Sequence, residues 1–225
     1  MNYFAHGLKF LDTPYVLAGT AVPDWLSVVD RRVRARARRV APWVDDPDPV
    51  ISGVARGVIA HHHDDARFHQ TRPFAELSLK LTVDMRRFLP DETGFRHSFL
   101  GHILVEILLD GVLIEQDMGR LDAYYHALGT LNPHRVSEAV HRVTTGRAEE
   151  LPRMIQLFCR ERFLYDYLDD AKLLMRLNRV MRRVNLPELP PSMLPFLAAA
   201  RQPIRERAAE LLDCEPTSEF KEKRQ

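Results

Sequence analysis

Phe99-Leu100-Gly101-His102-Ile103-Leu104-Val105-Glu106-Ile107-Leu108-Leu109-Asp110 is the stretch whose reading decides the fold. Ile103, Leu104, Ile107 and Leu108 recur at the three- and four-residue spacing of a helix that faces a core. His102 and Glu106 interrupt this run four residues apart, so both project from one helix face. A buried carboxylate is expensive unless it is paired, and metal coordination is one way to offset that cost. The alternative is a His–Glu hydrogen bond along an exposed stripe.

The same period continues on both sides, and strand-like alternation is scarce. Prolines and glycines fall mostly between periodic stretches, where they act as stops. The pattern predicts helices near 2–11, 14–29, 30–41, 48–70, 73–88, 94–116, 118–128, 133–144, 148–158, 160–184 and 192–212. Asp46-Pro47 and Asn132-Pro133 suit helix starts, and Leu186 to Pro191 reads as a rigid connector. No repeat or long linker breaks the chain. The expectation is an all-α, bundle-like array forming one domain over residues 1–215, with an interior metal site and a frayed tail over 216–225.

Composition narrows the functional classes. The 225 residues carry 32 basic and 31 acidic side chains, a balance that argues against a dedicated nucleic-acid binder. No run approaches the roughly 20 uninterrupted apolar residues of a membrane span, and the opening residues lack the pattern of a signal peptide. Two cysteines, Cys159 and Cys214, make no disulfide framework, so a reducing, cytoplasmic setting is expected. Local charge is less even. Arg31, Arg32, Arg34, Arg36, Arg38 and Arg39 crowd one segment ahead of Asp45, Asp46 and Asp48. That segment is either a solvated helix face or a dock for a phosphate-bearing or acidic partner.

The chemistry resides in histidines and carboxylates. His61 and Asp65, like His102 and Glu106, stand four apart, and helical bundles build metal sites from such inward-facing pairs. His69 shares the face of His61 and Asp65, whereas His62 and His63 point elsewhere and could serve as acid, base or second-ion ligand. His6 ends the short apolar opening of the chain. Asp24 follows Ala18-Gly19-Thr20-Ala21-Val22-Pro23, read as a small-residue turn, and could instead be an N-cap. His6, Asp24, His61, Asp65, His102 and Glu106 are therefore the candidate ligands.

Asn2-Tyr3-Phe4-Ala5-His6, the small-residue segment ending in Asp24, Gly57 followed by His61-x3-Asp65, and the His102 segment resemble, in this order, the bacterial acyl carrier protein phosphodiesterases. Phe163-Leu164-Tyr165-Asp166-Tyr167 and Leu177-Asn178-Arg179-Val180-Met181-Arg182-Arg183 extend the resemblance over most of residues 1–183. It implies a helical relative of the HD-type metal phosphohydrolases that uses manganese. The implied reaction hydrolyses the phosphodiester joining phosphopantetheine to a carrier-protein serine. By the same resemblance, His6, Asp24, His61, Asp65 and His102 are the functional residues. The chain departs from the family where Gly101 replaces an Asp before His102, and where His62-His63 replace a basic pair; Glu106 and Asp110 could supply the missing carboxylate. A more distant likeness joins the zinc-dependent phospholipase C and single-strand nuclease group, which has an early His, an Asp after a turn, a His-x3-Asp and a His-x3-Glu.

Mixed imidazole and carboxylate ligands suit manganese, iron(II) or zinc. Six ligands exceed the needs of one tetrahedral ion, and two ions about 3.5–4 Å apart could clamp a phosphodiester and activate water. In that scheme His62 or His97 protonates the leaving oxygen, and Arg182 or Arg183 holds the remaining oxygens unless it only complements a helix dipole. The expected function is a metal-dependent phosphodiesterase, with acyl carrier protein as the partner suggested by the resemblance. The alternatives are a same-fold hydrolase of a nucleotide or lipid phosphodiester, and a non-enzymatic metal-binding helical protein.

Overall fold

The computed structural model describes residues 1–89 and 96–212. Cys214 and the tail expected over 216–225 lie outside the described residues. Among the described residues every regular element is helical, so the chain is all-α as expected. The helices are α1 (Tyr3–Gly7), α2 (Pro14–Val29), α3 (Ala37–Val40), α4 (Pro49–Phe68), α5 (Arg72–Met85), α6 (His97–Gln116), α7 (Met118–Gly129), α8 (Pro133–Val143), α9 (Leu151–Glu161), α10 (Asp170–Arg183), α11 (Leu194–Glu206) and α12 (Ala208–Leu212).

Local chemistry sets several boundaries. Proline in the first turn starts α2, α5, α8 and α9, where its missing N–H costs no hydrogen bond. The side chains of Thr71, Asp117, Asn132 and Asp169 accept from backbone N–H groups at the starts of α5, α7, α8 and α10.

Three expected helices differ. The helix expected over 30–41 reduces to α3, because residues 31–32 form a turn and residues 33–36 are not helical, with Val33 and Ala35 buried and Arg34 and Arg36 exposed. Asp30 holds the turn before them by accepting from the Arg32 backbone N–H at 2.9 Å and from its guanidinium. The helix expected over 160–184 is broken by Arg162, whose left-handed φ of 47° ends α9, and by a 3-10 segment over Phe163–Leu168. The last expected helix divides into the 3-10 turn Pro191–Met193, α11 and α12.

The helices group into two compact units, although residues 1–215 read as one domain in the sequence. The first unit comprises Met1–Asp64 and Ile114–Leu164, and the second Asp65–Leu113 and Tyr165–Gln225. The chain passes between them inside α4, inside α6 and inside the 3-10 segment, so no linker marks the division.

In the first unit α2 is the hub, packed against α1, α7, α8 and α9. Phe158 gathers the rings of Tyr3 at 5.0 Å, Trp25 at 5.4 Å and Phe163 at 5.2 Å, all edge-on. In the second unit α11 packs on α5, α10 and α12. Its Arg201 is buried, donating through Nε to Asp170 at 2.9 Å and through a terminal nitrogen to the Tyr167 carbonyl at 2.7 Å.

Helix α6 has the length and mean hydropathy, 1.6, of a membrane-crossing helix. Mean hydropathy tolerates the scattered His102, Glu106 and Asp110 that a count of uninterrupted apolar residues does not. Its most apolar window is 72% buried within the protein, as a core helix requires.

Candidate metal centre

Helix α4 carries the histidine-rich segment, and its position is set by glycine. A Cβ on Gly57 would collide with the Val16 carbonyl oxygen and lie 2.6 Å from the Gly19 Cα; one on Gly19 would lie 2.8 Å from the Gly57 Cα. Helices α2 and α4 therefore cross backbone to backbone at two glycines, a closeness that no other residue permits. One turn beyond this crossing stands His61. It is buried, and its Nδ1 lies 2.9 Å from the Thr20 carbonyl oxygen. A carbonyl only accepts, so Nδ1 carries the proton and Nε2 the lone pair, the tautomer of a metal-ligating imidazole held by a backbone oxygen.

His6 meets His61 from α1. It is fully buried, and the two rings stack with centroids 4.2 Å apart and planes 28° from parallel. Gly7 seats α1 against the Tyr124 ring of α7, which leaves no room for a Cβ, and thereby fixes the approach of His6. Asp65 follows His61 by one turn of the unbroken α4. His6, His61 and Asp65 each place one ligand atom within 4.8 Å of the others.

A second group lies in the second unit. His69, one turn past Asp65, extends the helical ladder by donating its backbone N–H to the Asp65 carbonyl at 3.1 Å. Its Nε2 lies 2.7 Å from Glu106 Oε1, and His102 Nε2 lies 3.2 Å from the same oxygen. The Phe74 ring packs against both imidazoles, with centroids 4.8 Å from each, and forms an apolar wall. Burial alone would push the Glu106 carboxyl up. The hydrogen bonds from His102 and His69 outweigh that cost and hold it down at about 2.

Gly101, the residue before His102, sits where helix packing admits no side chain. A Cβ there would collide with Thr82 Oγ1 and lie 2.7 Å from the Ser78 carbonyl oxygen, both on α5. Position 101 faces a tight α5–α6 crossing and has no space for an acidic side chain. The nearest carboxylate in the chain on the His102 face is Glu106, one turn on.

The six expected ligands thus divide. His6, His61 and Asp65 form one group, and His102 and Glu106 form another with His69. Asp24 is not among the ligand atoms that lie within 4.8 Å of one another in either group. It lies inside α2, with Pro23 also in the helix, so Ala18 to Pro23 is helix and not the expected turn, and Asp24 is no N-cap. The other expected participants occupy other places. His62 Nε2 donates to the Ala35 carbonyl at 2.6 Å, and buried His97 donates to the Leu89 carbonyl at 2.9 Å. Arg182 is exposed and pairs with Glu188 at 3.4 Å, in the last turn of α10 and just beyond it. Asp110 is fully buried on α6.

The sequence signal for His69 was its place at i+8 from His61. Its partners come from α6, 37 residues away for Glu106, and no periodicity reports that distance. Compared with known proteins, the chain matches no family model, no curated protein and no solved structure.

Proposed function

We propose that this protein is a metal-dependent phosphodiester hydrolase. One observation carries the reading: a buried, stacked imidazole pair, with His61 held in its ligating tautomer by Thr20, and a carboxylate one helical turn away. The donor set fits a divalent transition ion, since two imidazoles and a carboxylate suit manganese, iron(II) or zinc. Such an ion, when bound, supplies Lewis acidity toward a phosphoryl oxygen.

The chain's own residues prepare the site. Thr20 keeps the His61 proton on Nδ1, the Gly19–Gly57 crossing sets the height of the ring, and α1 brings His6 over its face. The resemblance to the acyl carrier protein phosphodiesterases suggests a phosphopantetheine diester on an acidic carrier protein as substrate. Arg34, Arg36, Arg38 and Arg39, all exposed, supply positive charge of the kind that would attract such a partner.

The test is hydrolysis of bis(p-nitrophenyl) phosphate and of holo acyl carrier protein, after chelation and readdition of manganese, zinc or iron(II). Metal-dependent turnover that His61→Ala abolishes supports the proposal. Absence of turnover on both substrates with all three metals refutes it, and turnover on the small diester alone refutes the carrier-protein substrate.

A further inference from the structure

The group in the second unit has a geometry of its own. His69 and His102 present Nε2 atoms to one carboxylate oxygen of Glu106 at 2.7 and 3.2 Å, and all three ligand atoms lie within 4.8 Å of one another. Ligands about 2.1 Å from a common ion are about 3.0 Å apart along an octahedral edge and about 3.4 Å along a tetrahedral one. The two measured separations are close to those edges. Three ligands from two helical segments, two imidazoles and one carboxylate, leave an ion with open positions.

We propose that His69, His102 and Glu106 form a separate binding site for a divalent transition-metal ion of the zinc, iron(II) or manganese class, open to solvent on one side. The openness follows from the side-chain exposures, 31% for His69 and 43% for His102, against 18% for Glu106. The pair around His6 and His61 is buried, so the two groups differ in access as well as in membership. Phe74 closes one flank of the second group and keeps both imidazoles turned toward Glu106. The Gly101 crossing holds α6 against α5 beside His102. The imidazole Nε2–H groups donate to the carboxylate; an ion there would take the Nε2 lone pairs instead, each neutral ring then carrying its one proton on Nδ1. This inference does not depend on any hydrolytic activity.

Cobalt(II) titration of the chelator-treated full chain tests it, read by visible d–d absorption and by cobalt bound per chain. The native chain takes up cobalt at this site, and zinc displaces it. Glu106→Gln, nearly isosteric and so least disturbing to the fold, and the half-exposed His102→Ala each remove one equivalent, whereas His61→Ala leaves that equivalent in place. Unfolding followed by circular dichroism shows that each variant is folded. Unchanged stoichiometry and spectrum in both Glu106→Gln and His102→Ala overturn the proposal, as does loss of this equivalent in a folded His61→Ala chain. Failure of the phosphodiesterase assay alters none of these readings.

Discussion

Replacing Gly57 with alanine tests the glycine crossing directly. An added Cβ would meet the Val16 carbonyl oxygen, the Gly19 Cα at 2.6 Å and the Gly19 carbonyl carbon at 2.7 Å. All three are backbone atoms of a helix and cannot rotate aside. Overpacking a core costs about 1–3 kcal/mol, and a clash with backbone alone belongs at the upper end. Alanine recovers about 1 kcal/mol of helix propensity over glycine. The net expectation is a loss of about 2 kcal/mol, which lowers the melting temperature by about 4–8 °C in a chain of this size. Displacement of α4 should also lengthen the 2.9 Å contact from His61 to Thr20 and weaken metal binding at His6 and His61. Gly129, at the end of α7, is the control, because a Cβ there meets nothing within 4 Å. Gly129→Ala should leave stability unchanged or raise it by up to about 1 kcal/mol. Urea unfolding of both variants with isothermal metal titration measures each quantity. A Gly57→Ala protein as stable as the native one, with unchanged metal affinity, would refute the claim that this crossing positions His61.

Three other substitutions and titrations follow from the same geometry. The Glu106 carboxyl is held at about 2 against an ordinary 4.5, so its stabilising contribution is present above pH 4.5 and disappears as pH falls toward 2; in chelator, the stability gap between native and Glu106→Gln, about 2–3 kcal/mol at neutral pH, should therefore close across that range in urea melts. Burial pushes the Cys159 thiol up from 9 to about 11, so a Cys214→Ser chain should react with a disulfide reagent at pH 8 about 100-fold more slowly than after unfolding. The sign is that of a raised acid: the contribution is full below pH 9 and is lost as pH rises through 11. Arg201→Ala leaves the Asp170 carboxylate and the Tyr167 carbonyl without this donor, and should cost about 2–4 kcal/mol in thermal or urea unfolding, more than Arg205→Ala on the exposed side of α11.

The all-α class was legible because the apolar period near 3.6 residues runs through α2, α4, α6 and α10, and no tertiary partner is needed to detect it. The pairing of His61 with Asp65 was legible for the same reason, since one helix determines it. What sequence spacing cannot report is which helices meet. It offered His102 and Glu106 as partners of His61, whereas the packing of α6 brings them to His69. The arginine segment misled in another way: helix-forming arginines suggested a helix over 30–41, but buried Val33 and Ala35 alternate with them, a period of two that a short window conceals. The sequence places Gly57 and Gly101 near the candidate ligands, but why each must be glycine is visible only when the backbone opposite it is known.

Because each unit is built from segments far apart in the chain, neither unit has all its parts until late in synthesis. The first unit needs residues up to Leu164 before its parts are all present, and the second continues beyond Tyr165. At about 5–20 residues per second, the ribosome exposes α4 and α6 for several seconds before the partners of either unit are complete. His6, His61, Asp65, His69, His102 and Glu106 all lie within the first 106 residues, so every proposed ligand emerges while both units are unfinished. A nascent chain arrested near residue 110 would expose the imidazoles and carboxylates without the packing that arranges them. At the proposed sites, metal binding is therefore expected only after the later helices of each unit have folded.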